Sequence, residues 1–156
     1  MTYVLDTSSF SVCGNYFPAR FPTFWQSFDS LVLAGEVVSV REVRNELENQ
    51  SRWQHLLDWV QANRQIFLVP EPPETSFVAQ IFAVPHFQQL IGRMQLLAGR
   101  PVADPFVIAS ANHRGAIVVT EESNKPNAAR IPNVCEHFGI ACISIEELME
   151  REGWQY

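Results

Sequence analysis

Tyr3-Val4-Leu5-Asp6-Thr7-Ser8 is a short apolar run that ends on a carboxylate. A run of this kind near the start of the chain reads as a buried strand. Asp6 then stands where the strand leaves the core. In open α/β sheets, binding and chemistry gather at the carboxyl ends of the strands. One acid placed there invites a search for others at the same edge. Taken alone, Asp6 is equally well explained as the N-cap of a helix beginning at Thr7 or Ser8.

Three further apolar runs, 37–40, 116–119 and 140–143, read as strands alongside the first at 2–5. Each of the three follows a glycine placed where a helix would stop: Gly35, Gly115 and Gly139. Helical segments fill the gaps. Phe21 to Ala34 carries Phe24, Trp25, Phe28, Leu31 and Val32 at helical spacing, with Pro22 near its start. Arg41 to Glu48 follows the second strand, and Ser51 is placed to cap a helix containing Leu56, Leu57, Trp59 and Val60. Pro70-Glu71-Pro72-Pro73 reads as a rigid connector. Helical patterns resume at 74–84 and 86–98, the second closed by Gly99. Asp104 and Pro105 read as N-cap and first residue of a helix to Arg114; shorter helices follow at 132–138 and 146–152. Ser144 and Glu147 form a capping box for the last. Strands alternating with helices imply an α/β domain built on a parallel sheet. No internal repeat or low-complexity tract divides the 156 residues, so residues 1–156 read as one domain.

The composition narrows the classes. Apolar residues make up 47% and charged residues 18%, the balance of a globular chain rather than a disordered one. A net charge of -6 argues against bulk electrostatic binding of nucleic acid. It leaves room for an acidic site that holds cations. Ten of the eleven basic residues are Arg, which pairs bidentately with phosphate. Asp6 interrupts any signal-peptide core, and no stretch approaches the roughly 20 apolar residues of a membrane span. Cys13, Cys135 and Cys142 are odd in number and lack CxxC spacing, as expected of buried thiols in a reducing cytoplasm.

Further carboxylates fall at positions comparable to Asp6. Glu46 lies on the helix after the second strand, Asp104 opens the helix leading into the third, and Glu121 and Glu122 follow the third directly. If the strands are parallel and adjacent, these acids share one edge. Each has a plain explanation as a solvated residue, a loop charge or, for Asp104, an N-cap; the case rests on their common placement. Carboxylates packed together repel one another. A hard divalent cation takes oxygen ligands and relieves that repulsion, and it assists phosphodiester hydrolysis by activating water and stabilising charge. No Lys or His stands beside the acids in sequence as an obvious base.

Tyr3-Val4-Leu5-Asp6-Thr7-Ser8, Val43-Arg44-Asn45-Glu46-Leu47, Ala103-Asp104-Pro105-Phe106-Val107-Ile108-Ala109 and Val118-Val119-Thr120-Glu121-Glu122 resemble, in order and spacing, the motifs of PIN-domain nucleases, which include VapC-like toxins. Phe21 to Trp25 and the segment from Ile131-Pro132-Asn133-Val134-Cys135 to Trp154 resemble one prokaryotic PIN subgroup long catalogued without assigned function. The resemblance implies a three-layer PIN-like fold, four to five parallel strands flanked by helices with the first strand central. It implies an acidic quartet of Asp6, Glu46, Asp104 and Glu122, both catalytic and metal-ligating, with Thr7 and Thr120 orienting the acids. Glu122 stands where the toxins usually have Asp, and Glu121 beside it competes for the fourth place. Glu42, one turn before Glu46, is its weaker rival. The implied activity is Mg2+- or Mn2+-dependent endoribonuclease cleavage that leaves a 5′-phosphate. The implied partners are an RNA substrate and, for a toxin of a toxin–antitoxin pair, an antitoxin protein. A homodimer is left open, no membrane is involved, and the location is the cytoplasm.

Two other readings compete. Haloacid-dehalogenase-like phosphatases also begin with a strand ending in Asp but need a second Asp two residues later, where this chain has Ser8. A non-catalytic PIN-like scaffold that binds RNA or protein would lack a metal site. His55, His86, His113 and His137 match no ligand or triad spacing and read as surface or helix-end residues. Trp25, Trp53, Trp59 and Phe87 read as core or interface rather than base-stacking groups. Arg41, Arg44, Arg93, Arg100, Lys125 and Arg130 read as solvated charges or as contacts to a phosphate backbone.

Overall fold

The computed structural model describes residues 1–90 and 102–156. β1 (Tyr3–Leu5), β2 (Val37–Val40), β3 (Phe67–Leu68), β4 (Ile117–Val119) and β5 (Cys142–Ile143) form one parallel sheet in the order β3-β2-β1-β4-β5. Among the described residues eight α-helices flank it, completing a three-layer α/β/α plan: α1 (Thr7–Cys13), α2 (Pro22–Leu33), α3 (Arg41–Gln50), α4 (Gln54–Ala62), α5 (Pro72–Ala83), α6 (Asp104–Arg114), α7 (Ile131–Phe138) and α8 (Ile145–Glu152). The expected fold class is therefore observed, with β1 at the centre.

β1 is apolar throughout because it is covered on both faces. Tyr3, Val4 and Leu5 are at most 1% exposed. Tyr3 pairs with Val37 on one side and Ile117 on the other, and Val4 with Val38 and Val118. The chain winds outward from β1 through β2 to β3, then returns to place β4 and β5 on the other side. The winding direction thus reverses between β1 and β4, and the crevice at such a switch point is where open α/β sheets place their ligands. Asp6 and Thr120 are the residues that leave β1 and β4 at that point.

One strand of the five, β3, is not among the four apolar runs. It is two residues long, and its partner register, Ser39 with Phe67 and Val40 with Leu68, is set by tertiary pairing rather than by an apolar run. The connector 70–73 is shorter than expected: Pro72 already opens α5, and Glu71 precedes it as N-cap. Ser51 closes α3 instead of opening α4, whose N-cap is Trp53; its hydroxyl accepts from the Trp53 N–H at 3.3 Å. Within the segment expected as a helix over 86–98, Pro85–Gln88 forms a 3-10 turn. The remainder from 91, with Arg93, Gly99 and Arg100, lies outside the described residues. Gly115 and Gly139 end α6 and α7 in the left-handed conformation, at φ 61° and 70°, which a side chain rarely adopts.

The core is largely aromatic on the side of β2 and β3. Phe10 of α1 packs against Phe28, Trp59 and Phe67 with ring centres 5.4–6.4 Å apart. Trp25 and Phe87 are buried, and Trp53 and Trp59 pack half-buried against the core, the placement expected of them. Cys13 and Cys135 are buried thiols, whereas Cys142 on the outer strand is only half-buried. No helix among the described residues is long and apolar enough to cross a membrane.

Candidate functional site at the carboxyl edge of the sheet

Asp6 leaves β1 and immediately caps α1. Its Oδ1 accepts from the Ser9 N–H at 2.8 Å, so the capping explanation holds for this residue. The carboxylate does more than cap. The Ser8 hydroxyl donates to both of its oxygens, and Thr120 Oγ1 donates to Oδ2 at 2.5 Å across the switch point. Backbone pairing sets this geometry, because Asp6 N–H donates to Val119 O at 3.1 Å and Thr120 N–H donates to Ile143 O at 2.9 Å. Asp6 is 2% exposed, and burial pushes its carboxyl above the ordinary range; the Thr120, Ser9 and Ser8 donors pull against that rise. A carboxylate in this position gains from a cation.

Glu46 reaches the same edge from α3. Thr7 Oγ1 donates to Glu46 Oε1 at 2.7 Å, and the Ala103 N–H donates to Oε2 at 2.8 Å. The half-buried Glu46 thus stands between the residue after Asp6 and the residue before Asp104. Asp104 is 7% exposed and is the first helical residue of α6. The N-cap is Ala103, in helical conformation, and not Asp104 as expected; Pro105 follows within the first turn. Thr7 thus donates to Glu46 and Thr120 to Asp6.

Glu121 and Glu122 each cap a helix. Glu122 Oε2 accepts from the Ile131 N–H at 2.9 Å at the start of α7, and Glu121 Oε1 accepts from the Ile145 N–H at 2.7 Å at the start of α8. Glu122 remains tied to the edge through its backbone, which donates to Thr120 Oγ1 at 3.1 Å; Glu121 N–H donates to Ser8 Oγ at 3.0 Å. Both therefore lie one hydrogen bond from the groups that hold Asp6. A cleft of about 530 Å³ opens beside them, lined in part by Thr120, Glu121, Glu122, Glu136 and Glu147, with no Lys or Arg in its wall among the described residues. Glu42, the rival one turn before Glu46, has a side chain 1% exposed; its Oε1 pairs with Arg41 at 2.9 Å, and among the described residues its buried Oε2 has no hydrogen-bond partner. Arg44 faces Glu48 at 3.7 Å, so Arg41 and Arg44 are both engaged on their own helix.

The tightest ligand cluster among the described residues lies elsewhere. Glu71, Glu74 and His113 each offer one ligand atom, all within 4.8 Å of one another, and could hold a metal ion. The acidic quartet is spread more widely than this. Sequence spacing does not reveal the full cluster, because His113 follows Glu71 by 42 residues and only the packing of α5 on α6 brings them together. The one local signal was the three-residue spacing of Glu71 and Glu74 at a helix start, where acids also serve as caps.

Fold and edge together define a three-layer α/β protein with buried acids at the switch point of a parallel sheet. Residues 3–156 match the family described as domain of unknown function DUF4411, and the chain belongs to that family. Among solved structures it is similar to PAE2754 from Pyrobaculum aerophilum, with a TM-score of 0.54 and 17% identity over 99% of this chain and 98% of that one. At that identity the likeness shows the fold. No curated protein matches the sequence.

Proposed function

We propose that the chain is a divalent-metal-dependent endoribonuclease of the PIN type, with Asp6, Glu46, Asp104 and Glu122 as its acids, acting as the toxin of a toxin–antitoxin pair. The observation that carries this reading is the Glu46 carboxylate, hydrogen-bonded at once to the neighbours of Asp6 and of Asp104. Three acids from three separate elements are thereby held at one sheet edge, which capping alone does not require. The donor set is oxygen only, suited to Mg2+ or Mn2+. Such an ion, when bound, supplies charge neutralisation and activation of water. The protein's own part is positional: Thr120 and Ser8 fix Asp6, and Thr7 fixes Glu46. Each Glu46 oxygen accepts one protein donor and keeps a second lone pair for a ligand.

Cleavage of single-stranded and structured RNA, with and without Mg2+ or Mn2+, tests the proposal against Asp6→Asn and Asp104→Asn. Metal-dependent cleavage that both substitutions abolish, leaving 5′-phosphates, is the expected result. Cleavage without metal, or surviving both changes, overturns it. A non-catalytic scaffold is the second reading. The observation favouring it is that Glu121 and Glu122 both spend their carboxylates on helix starts. Calorimetry showing no Mg2+ or Mn2+ binding that depends on Asp6 and Asp104 would select it.

A further inference from the structure

We propose that Glu71, Glu74 and His113 form a separate site for a borderline transition-metal cation, zinc in first place, which ties the start of α5 to the end of α6. This site is independent of the acidic edge. Nine residues separate His113 from Asp104 on α6, about 14 Å at the rise of an α-helix.

The donor chemistry differs from that of the edge. One imidazole with two carboxylates suits zinc and its neighbours in the transition series, whereas magnesium prefers oxygen donors alone. The geometry is near what such an ion needs. His113 Nε2 lies 3.0 Å from Glu71 Oε2, and the three ligand atoms all fall within 4.8 Å. Zinc bonds of about 2.0–2.1 Å set neighbouring ligands of a tetrahedron about 3.3 Å apart. Small side-chain adjustments reach that arrangement, with water as the fourth ligand. The hydrogen bond between His113 and Glu71 then gives way to the ion.

Burial supplies the second argument. Glu74 is 1% exposed yet sits beside a second carboxylate, an arrangement that repulsion and desolvation both oppose. Among the described residues no Lys or Arg pairs with either acid, and His113 alone faces them. Glu74 Oε2 accepts from the Glu71 N–H at 2.9 Å, which uses one of about four lone-pair sites on that carboxylate. His113 occupies the last turn of α6, where the helix dipole favours positive charge. An ion here cross-links two helices that already pack on each other, and so stabilises the folded chain in proportion to its binding.

The test titrates Zn2+ into chelator-treated full-length Asp6→Asn/Asp104→Asn protein, so that the edge does not contribute. Calorimetry is expected to show one Zn2+ per chain and the melting temperature to rise on saturation, with no comparable rise in Mg2+ at the same concentration. His113→Ala and, separately, Glu71→Gln are expected to weaken Zn2+ binding at least tenfold and to remove the rise. Glu71 and His113 are surface residues, and Glu71→Gln retains a capping side chain, so at least one variant reports on binding in a folded protein. No Zn2+-dependent rise, or a rise of equal size in both variants, overturns the proposal. Because the measurement runs in a background lacking two edge acids, its outcome is separate from the nuclease reading.

Discussion

Thr7 Oγ1 donates to Glu46 Oε1 at 2.7 Å, joining the first turn of α1 to the middle of α3 at the carboxyl edge of the sheet. Thr7 is the neighbour of Asp6, and the other oxygen of Glu46 holds the N–H of Ala103, the neighbour of Asp104. Glu46→Gln keeps an acceptor for Ala103 and a donor that Thr7 can accept. Its stability is expected within about 1 kcal/mol of wild type. Metal-dependent RNA cleavage is expected to fall by more than about 100-fold, since the charge needed for an ion is gone. Glu46→Ala adds a structural cost of about 1–3 kcal/mol by stranding the Ala103 N–H. Denaturant melts and cleavage rates on the two variants separate charge from scaffold; equal losses of activity and stability in both would assign Glu46 a purely structural role.

Thr120 is placed to matter through Asp6. Thr120→Val preserves the branched shape at the end of β4 but removes the donor to the buried Asp6 carboxylate and the acceptor of the Glu122 N–H. A loss of about 1–3 kcal/mol is expected in chemical denaturation. Cleavage is expected to fall about 10–100-fold, the usual cost of losing an outer partner of a metal ligand. Thr120→Ser restores the hydroxyl and is expected to recover most of both. Failure of Ser to rescue would show that the methyl packing, and not the hydrogen bond, is what the site needs.

Much of this was legible in the sequence because it depends on local signals. Short apolar runs marked four strands, the glycines before three of them marked helix ends, and Ser144 with Glu147 marked the last helix, where the Ser144 hydroxyl accepts from the Glu147 N–H at 3.2 Å. Asp6, Glu46 and Asp104 emerged from their positions after or before those runs. What stayed hidden depends on contacts between distant segments. β3 exists only because Phe67 and Leu68 fall into register with Ser39 and Val40. His113 meets Glu71 only through helix packing, so its place among scattered histidines carried no signal. The capping roles of Glu121 and Glu122 require knowing which helices start beside β4, which sheet order decides and spacing does not.

Tyr3 gives a pH dependence that lies apart from the acids. Its hydroxyl, at the other end of β1 from Asp6, donates to Glu152 Oε2 at 3.3 Å on α8. Desolvation by burial and the nearby Glu152 charge both push the Tyr3 phenol above its ordinary value of 10.0. The unfolded chain therefore ionises first as pH rises. The stability that this group contributes is complete below pH 10.0 and is lost as pH climbs through the higher folded value. Tyr3→Phe is expected to cost about 1 kcal/mol at neutral pH, from the hydrogen bond alone. Above pH 10.0 the gap between variant and wild type is expected to close. Urea melts at pH 7 and at pH 10.5–11 measure the two gaps; a constant gap would remove the linkage.

Glu121 and Glu122 can be told apart by the same pair of measurements. Each carboxylate holds the first N–H of a helix, Ile145 for Glu121 and Ile131 for Glu122. Replacing either with Ala is expected to cost about 0.5–2 kcal/mol, the ordinary effect of a lost cap. Gln retains an oxygen acceptor, so both Gln variants are expected to stay near wild-type stability. The backbone tether to Thr120 distinguishes Glu122, because Thr120 also holds Asp6. If Glu122 is the fourth acid, Glu122→Gln loses metal-dependent cleavage about tenfold or more while Glu121→Gln keeps it. The longer reach of Glu compared with Asp suits a residue that must span from its helix start toward the edge. Loss of cleavage in Glu121→Gln with retention in Glu122→Gln would move the fourth acid to the neighbouring position, and retention in both would reduce the working set to Asp6, Glu46 and Asp104.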